Sequence, residues 1–373
     1  MPAVSDPSSI FLIVFLSLLG IHLIPVIIKS ISILTWKNKR ADKRAEPISV
    51  IVCARNEENN LKELVPILLN QDHPEFEVII VLDRCFDESL AYLKSLENQY
   101  SNLKTLIVDY VPDQFHPKKF GLTLAIKGAK NDMVLLTDAD CRPTSEKWAL
   151  RFSQQFDDNT DFVLGFGPYL QEKSFLNHFI QYETFTTGFE YLSLTRLGLP
   201  YMAVGRNLAY RKSKFLENKG FNVYQGITGG DDDLLIQQMA NSQNTKILLG
   251  SDTNTISKPK KNWKEYWAQK RRHLSVGKFY KKHSIVRHLI KSQIHLWLWV
   301  SFITLAILNI APHVIWTAFV GLIALKGVFY WRSAQKMGQG YQFWITPILD
   351  FTYAFFIPVI GTVAFFRKNI PWK

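Results

Sequence analysis

Two carboxylates separated by one residue, Asp138 and Asp140, carry the clearest chemistry in this sequence. They directly follow the apolar run 133–136, which predicts a buried strand, and Pro143 ends regular structure soon after them. Like charges held this close repel each other unless a cation lies between them. Hard divalent ions such as Mg²⁺ and Mn²⁺ prefer carboxylate oxygens and keep coordination positions for phosphate. The pair therefore indicates a metal–diphosphate site, with a solvated turn as the alternative.

A second acidic group, Asp231 to Asp233, lies between two glycines and an apolar stretch that predicts the start of a helix. A positioned carboxylate can accept the proton of an attacking hydroxyl group, which makes this group a candidate general base. The alternative is an N-terminal helix cap, because acidic side chains stabilise the positive end of the helix dipole.

Strands that alternate with helices must position the first acidic pair. Apolar runs at 48–53, 76–82, 103–108 and 133–136 predict strands, and apolar residues at helical spacing predict helices at 59–71, 90–96 and 121–130. This alternation predicts a mainly parallel α/β sheet with helices on both faces. Ligands of such sheets bind beyond the carboxyl ends of the strands, where Asp83 and Asp138 are expected.

The composition narrows the class of partner. In 373 residues, 44 Lys and Arg stand against 32 Asp and Glu, for a formal charge of +12. This excess favours anionic lipid or phosphorylated substrates, and because the sequence contains no recognisable reader module we expect no nucleic-acid partner. The three cysteines have neither paired nor metal-ligand spacing, which argues against a disulfide framework and against zinc.

Several apolar segments predict a membrane protein. Residues 10–28 carry no formal charge and are long enough to span a bilayer, and a basic stretch follows them. No basic residue precedes the segment and no small-residue cleavage site ends it, which argues against a cleaved signal peptide. The positive-inside rule then places the basic stretch in the cytoplasm, with the N-terminus outside. The basic residues of the stretch are Lys37, Lys39, Arg40, Lys43 and Arg44.

The C-terminal part of the sequence predicts further membrane spans, but their number conflicts with the positive-inside rule. Residues 292–325 carry no formal charge and are broken at 309–313, which predicts two short spans joined by a tight turn. The last apolar segment, 343–366, contains Pro347, Asp350 and Pro358. A full span there would make four and place the basic tail 367–373 outside, against the positive-inside rule. Either this segment is re-entrant or interfacial, or another predicted span is wrong.

Two segments between the acids and these spans have open interpretations. Residues 175–199 are rich in aromatic side chains and predict either a buried core helix or an amphipathic helix at the membrane interface. Residues 258–282 are densely basic with interleaved aromatic residues. Such stretches can bind nucleic acid, but beside a membrane they favour contact with lipid headgroups.

Six short motifs occur in order between residues 47 and 280. They are residues 49–58 with Ala54, Arg55 and Glu57; Asp83; Lys119 with Gly121; Asp138 with Asp140; Gly230-Asp231-Asp232; and the segment from Gln269 to His273. This ordered set resembles the family 2 glycosyltransferases, specifically the membrane-integrated branch related to cellulose, hyaluronan and ceramide-glucoside synthases. The family pattern ends in tryptophan where this chain has His273, which leaves acceptor type and processivity open.

The resemblance implies a GT-A-type, Rossmann-like domain that binds a nucleotide sugar, and it implies roles for individual residues. Asp140, with Asp138 beside it, would hold Mg²⁺ or Mn²⁺; Asp232 would be the general base, and Asp231 would help to place the acceptor. The implied donor-binding residues are Ala54, Arg55, Glu57, Asp83, Lys119, Asp138, Gln269 and Arg272. The implied acceptor-side residues are Gly205, Arg206, Asn207 and His273.

The expected function is that of an inverting glycosyltransferase that uses a nucleotide-sugar donor, a UDP-sugar first, and a lipid or lipid-linked glycan as acceptor. The alternatives are a processive polysaccharide synthase and a non-catalytic nucleotide-sugar-binding scaffold. We expect a multi-pass protein of the inner or plasma membrane with a cytoplasmic catalytic domain. The expected division is an anchor (1–36), a catalytic domain (37–257), a basic interface or gating segment (258–291) and a C-terminal membrane region (292–373).

Overall fold

The structure, a computed structural model, describes residues 7–38, 45–340 and 343–366. The strands are β1 Ile48–Ala54, β2 Phe76–Asp83, β3 Leu103–Val108, β4 Met133–Asp138, β5 Cys141–Pro143, β6 Phe162–Leu164, β7 Leu208–Arg211, β8 Thr245–Ile247 and β9 Thr255–Ser257. The helices are α1 Pro7–Leu34, α2 Glu58–Leu69, α3 Ser89–Glu97, α4 Pro117–Gly128, α5 Trp148–Ser153, α6 Phe175–Arg196, α7 Lys212–Glu217, α8 Asp233–Met239, α9 Trp263–Ser275, α10 Lys282–Ile307, α11 Pro312–Lys336 and α12 Thr346–Phe366.

The central sheet has seven strands in the order β3-β2-β1-β4-β7-β6-β8. Strands β3, β2, β1 and β4 are parallel, β7 runs antiparallel to both its neighbours, and β8 is parallel to β6. The predicted mainly parallel sheet is therefore confirmed. Cys53 of β1 lies opposite Val81 of β2 and Asp138 of β4. The carboxyl ends of these three strands therefore lie next to one another at the same edge of the sheet.

Both faces of the sheet are covered, because successive side chains of a strand point to opposite sides. Val50 joins a buried cluster with α2, α3 and α5, whereas its neighbour Ile51 joins the cluster that includes α4, α6 and α8. Each fully buried aliphatic side chain contributes about 1.5–3 kcal/mol to stability, so these two layers hold the strand ends in place.

Helix α6 distinguishes between the two interpretations of residues 175–199, a buried core helix or a helix at the membrane interface. It is buried over most of its length and contacts α1, α11, α12 and β8. The hydroxyl of Tyr191 donates to the Gly165 carbonyl at 2.6 Å, which ties α6 to the chain after β6. The segment is thus a buried core helix that joins the sheet to the apolar helices.

Four helices among the described residues, α1, α10, α11 and α12, are long and apolar enough to span a membrane. The predicted break between two apolar helices is confirmed, since α10 ends at Ile307 and Pro312 begins α11. Asp350 is accommodated within α12 by buried contacts with His295 at 3.0 Å and with Lys326. Lys39, Arg40, Lys43, Arg44 and the tail 367–373 lie outside the described residues, so the orientation and the four-part division of the chain stay predictions.

Candidate active site

A cavity of about 1130 Å³ opens at the carboxyl ends of β1, β2 and β4. Common small-molecule sites occupy roughly 300–1,000 Å³, so this cavity has room for more than one small ligand. It extends from the sheet past the second acidic group and α9, and it continues between α10 and α12. One connected space therefore joins the predicted chemistry to the apolar helices.

The sheet end of the cavity contains the predicted donor-binding residues of the first strands. Ala54, Arg55 and Glu57 line it after β1, and Asp83 lines it at the end of β2. The Arg84 guanidinium donates to both oxygens of Asp83, at 2.7 and 3.1 Å, and so fixes the direction of this carboxylate. Because a carboxylate accepts hydrogen bonds, Asp83 can receive a donor N–H or hydroxyl group of a bound nucleotide.

Asp138 and Asp140 meet at the mouth of β4 and form the group with suitable donors for a divalent cation. One ligand atom each of Asp138, Asp140 and Cys141 lies within 4.8 Å of the others. Burial raises the pKa of the Cys141 thiol far above its usual range, so the sulfur stays protonated. The two carboxylates remain as hard oxygen donors, which fit Mg²⁺ or Mn²⁺.

Lys118 connects the two acidic groups. Its Nζ lies 3.0 Å from Asp138 Oδ1 and 3.0 Å from Asp231 Oδ2. Burial opposes the charge of Lys118, but the carboxylates of Asp138, Asp231 and Asp232 outweigh it and raise the pKa of Lys118 well above its usual value. Burial likewise opposes the charge of Asp231, and Lys118 holds the pKa of Asp231 below its usual range. Lys118 therefore stays positively charged between the pair Asp138 and Asp140 and the acidic group 231–233.

Asp232 has a different environment from Asp231. Its Oδ2 accepts the backbone N–H of Gly205 at 2.6 Å, and its Oδ1 accepts the N–H of Asp233 at 2.8 Å as an N-cap of α8. Burial and the negative charge of Asp231 raise the pKa of Asp232 to about 6. A carboxylate with a pKa near neutrality is suited to accept and return a proton. Asp232 is therefore the N-cap of α8, and its role as general base stays a prediction that is compatible with the cap.

A side chain at position 205 would crowd the two acids. A Cβ there would lie 3.2 Å from Asp232 Oδ2 and 3.5 Å from Asp231 Oδ2. The backbone of Gly205 thus closes the cavity wall directly against both acids. The predicted acceptor-side role of Gly205 fits this position.

Three predicted site residues point elsewhere. Lys119 is fully buried and donates to the carbonyls of Tyr224 and Ile227 at 2.7 and 2.8 Å, so Lys118 rather than Lys119 faces the cavity. Asn207 is buried and donates to the Phe166 and Thr253 carbonyls, which ties chain segments together beneath the site. Gln269 donates to the Tyr169 hydroxyl at 3.3 Å.

The remaining predicted residues line the cavity from the opposite side. Arg206 bonds the Gly167 carbonyl, and its guanidinium lies 4.7 Å from the centre of the Tyr169 ring. Arg272 and His273, from the last turn of α9, also line the cavity. The side chain of His273 is exposed to the cavity, and its enclosed surroundings together with the cations of Lys270 and Arg272 lower the pKa of His273 well below its usual value. A neutral histidine can donate and accept hydrogen bonds at the acceptor side.

Two contacts near the acids were missed by sequence reasoning. Lys118 was not singled out, although its position beside Lys119 is a signal that either lysine could face the site. Tyr280 donates its hydroxyl to Asp233, and the rings of Tyr201 and Tyr280 lie 6.4 Å apart. The sequence offers no local signal for these pairings, since Asp233 and Tyr280 are far apart in the chain.

The far end of the cavity is apolar and lies between two candidate spans. Side chains and backbone of α10 and α12 line it, with no formal charge among the α12 contributors that the structure describes. The lining residues of this part include Ile285, Leu289, Ile357, Pro358, Gly361 and Phe365. We call this part the apolar groove.

Comparisons with known proteins agree with this geometry. Residues 49–217 match the sequence profile of Glycosyl transferase family 2. No curated protein sequence matches the chain. The fold is similar to that of the mannosyltransferase PcManGT from Pyrobaculum calidifontis, in complex with GDP-Man and Mn²⁺, with a TM-score of 0.59, 14% identity and coverage of 91% of this chain and 99% of that one.

A second solved structure resembles the chain less closely. TarS 1-349 of S. aureus, in complex with UDP-GlcNAc, aligns with a TM-score of 0.44 and 15% identity over 82% of this chain and 91% of that one. The sheet and its helices are of the GT-A type, as the sequence motifs predicted. The chain therefore carries, over residues 49–217, a glycosyltransferase domain of family 2.

Proposed function

We propose that this protein transfers a sugar, with inversion, from a nucleotide-sugar donor to the hydroxyl group of a lipid or lipid-linked acceptor at a membrane surface. The observation that carries the proposal is the continuity of the cavity, in which Asp83 and Asp138, the base candidate Asp232 and the apolar groove line one space. A soluble acceptor would not need a groove between two helices that are apolar enough to span a membrane.

The donor end suits a nucleoside diphosphate sugar. Diphosphate oxygens carry negative charge, and the cations of Lys118 and Arg272 line the space around them. Arg272 offers a planar pair of N–H donors, a geometry that lysine lacks. A Mg²⁺ or Mn²⁺ ion held by Asp138 and Asp140 would neutralise the charge of the leaving diphosphate. The GDP-Man and Mn²⁺ of the similar mannosyltransferase support this class of donor, so GDP-sugars join UDP-sugars as candidates.

At the acceptor end, Asp232 accepts the proton of the attacking hydroxyl. The N–H groups of Gly205 and Asp233 hold its two oxygens, so the carboxylate keeps one direction while its charge changes. Lys118 bonds Asp231 rather than Asp232, which leaves Asp232 as the acid whose ionisation is near balance. The oxygen that loses its proton forms the new bond to the sugar, and the bond to the diphosphate breaks. One displacement without an enzyme nucleophile inverts the anomeric centre.

Segment 269–273 is proposed to close the donor end from the membrane side. Arg272 and His273 line the cavity, whereas Gln269 donates to the hydroxyl of Tyr169, and Arg206 stacks on the ring of the same tyrosine. Gln269 would then position the wall rather than bind the diphosphate directly. We place the catalytic domain on the cytoplasmic side of a multi-pass inner or plasma membrane protein, where nucleotide sugars are available.

The test uses the purified full chain in neutral detergent with a panel of UDP- and GDP-sugars, Mn²⁺ and a membrane lipid extract. Released nucleoside diphosphate and labelled lipid product are measured. We expect one donor to give product, and we expect Asp232→Asn to remove product without weakening donor binding. Asp158→Asn, which changes an exposed carboxylate in the loop before β6, is the matched control. Donor binding without turnover under every condition would favour the scaffold alternative.

A further inference from the structure

A group of charged side chains lies beside the apolar groove and takes no part in the chemistry described above. Lys29 of α1 contacts both oxygens of Glu190 of α6 at 2.8 Å, and Lys291 of α10 contacts Oε2 of Glu190 at 2.7 Å. The charge of Arg287 acts on both lysines. We call Lys29, Arg287, Lys291 and Glu190 the basic cluster.

The basic cluster carries more positive than negative charge. Lys29 and Lys291 share the Glu190 carboxylate, which is only 4% exposed, and the charge of Arg287 adds to theirs. Unbalanced charge in a partly buried place is costly, so such a group gains stability from an additional anion. Glu190 bonds both lysines, and the excess charge therefore remains for a ligand.

Three buried nitrogen atoms beside the cluster also lack hydrogen-bond partners among the described residues. The Nε and Nη2 atoms of Arg287 and the Nε2 atom of His288 are buried without a hydrogen-bond partner among the described residues. The Arg287 guanidinium lies 4.8 Å from the centre of the Tyr201 ring, and Tyr201 and His288 both line the cavity. Burying a hydrogen-bond donor without a partner is unfavourable, so these atoms point to a ligand that accepts hydrogen bonds.

The position of the cluster relative to the apolar groove defines the type of ligand. Glu190, His288 and Lys291 line the same cavity as Leu289 and Ile357 of the groove. Residue 291 is the last charged position of α10 before its uncharged part, and Lys29 stands near the end of α1. Both lysines therefore lie where a spanning helix reaches the headgroup level of a bilayer.

We propose that the basic cluster and His288 bind the phosphate headgroup of an anionic lipid whose chains occupy the apolar groove. The inference rests on the proposed function in one respect, since it makes this lipid the acceptor. Its phosphate binds the basic cluster, the hydroxyl that attacks the sugar lies elsewhere on the same lipid, and the acceptor class is phosphate-bearing rather than neutral. Lys291 and His288 contact the headgroup, and Lys29 and Arg287 supply charge around it. Glu190 competes with the headgroup for the same cations.

The test measures binding without turnover. The thermal unfolding midpoint of the full chain in neutral detergent is followed as dioleoyl phosphatidic acid is added. Dioleoylglycerol has the same chains without phosphate, and inorganic phosphate has no chains. We expect phosphatidic acid to bind the wild type about tenfold more tightly than dioleoylglycerol, with no shift from inorganic phosphate at equal concentration.

The variants separate the basic cluster from general surface charge. Lys291→Gln keeps both Lys29–Glu190 contacts and is expected to remove the preference for phosphatidic acid; Arg287→Gln is expected to do the same. Glu190→Gln removes the competing carboxylate and is expected to tighten phosphatidic acid binding. Lys282→Gln, an exposed lysine at the start of the same helix, should leave the preference intact.

Several results would overturn the inference. These are equal binding of both lipids by the wild type, equal loss in Lys282→Gln and Lys291→Gln, or a shift by inorganic phosphate as large as that by phosphatidic acid. If Lys291→Gln fails to fold, Glu190→Gln decides instead. Weaker binding of phosphatidic acid by Glu190→Gln would then overturn the inference. Donor binding with Mn²⁺ is measured in parallel, so preference for the anionic lipid without any donor binding would refute the proposed function and keep the lipid site.

Discussion

The pH dependence of turnover offers the sharpest test of the assignment of Asp232. The base must be ionised to accept a proton, and burial with the charge of Asp231 raises its pKa to about 6. Turnover should therefore rise with pH through about 6 and level above it. From this value, roughly nine-tenths of Asp232 is ionised at pH 7 and roughly one-tenth at pH 5, so the rate at pH 5 should be about tenfold lower.

Two substitutions turn this expectation into a test of cause. Asp232→Asn keeps the size and removes the basicity, and the loss of a general base lowers the rate by about 10²–10⁴-fold. Asp231→Asn removes one of the two causes that raise the pKa of Asp232 and frees Lys118 to act on it. The acidic limb of the pH profile should therefore move to lower pH in Asp231→Asn.

The assay is nucleoside diphosphate release at saturating donor and acceptor between pH 4.5 and 8 (roughly the range in which carboxylates and histidines titrate). Asp158→Asn serves as the control and should reproduce the wild-type profile. Near-normal turnover of Asp232→Asn would refute the assignment of the base. An acidic limb that stays in place in Asp231→Asn would refute the electrostatic explanation of the raised pKa.

The remaining predictions concern three other parts of the site. Asp140→Ala should abolish turnover and Mn²⁺-dependent donor binding with an unchanged thermal midpoint, and full wild-type activity in excess chelator would contradict this. Gly205→Ala places a Cβ 3.2 Å from Asp232 Oδ2, so turnover should fall by about 10-fold or more while donor binding is kept; wild-type rates would show that the wall can yield. Lys119→Met removes the partner of two buried carbonyls and should lower the free energy of unfolding by about 1–3 kcal/mol in denaturant. Lys118→Met should lower turnover strongly and the free energy of unfolding less than Lys119→Met does. The reverse ranking would restore Lys119 as the donor-binding lysine.

The local sequence pattern was sufficient to predict the strands and helices, and to place Asp83 and Asp138 at the carboxyl edge of the sheet. Continuous apolar runs such as 133–136 predict buried strands because a strand covered on both faces can expose no polar side chain. Asp83 and Asp138 end such runs, so their position at the carboxyl edge of the sheet follows from the chain itself. Long apolar segments likewise predicted α1, α10 and α11, because length and hydropathy are properties of a single segment. Asp350 and the positive-inside rule had left the nature of segment 343–366 open.

The choice between neighbouring side chains depended on the tertiary structure. Lys118 and Lys119 are adjacent on α4, but successive residues of a helix point about 100° apart, so one faces the acids and the other the carbonyls of residues 224 and 227. The motif pattern favoured Lys119, and no local property separates the two. Gln269 and His273 lie on the same face of α9, one turn apart, yet Gln269 bonds Tyr169 whereas His273 lines the cavity. What packs against each turn of the helix decides this difference.

Groups assembled from distant parts of the chain could not be found from the sequence. Glu190 meets Lys29 across 161 residues and Lys291 across 101, and Asp233 meets Tyr280 across 47. Short-range periodicity reports which face of an element is buried, but it carries no information about which other element covers that face. The sequence by itself therefore determined the sheet, the acids at its edge and the apolar helices. The tertiary structure alone decided which cations face which carboxylates, because packing brings their helices together.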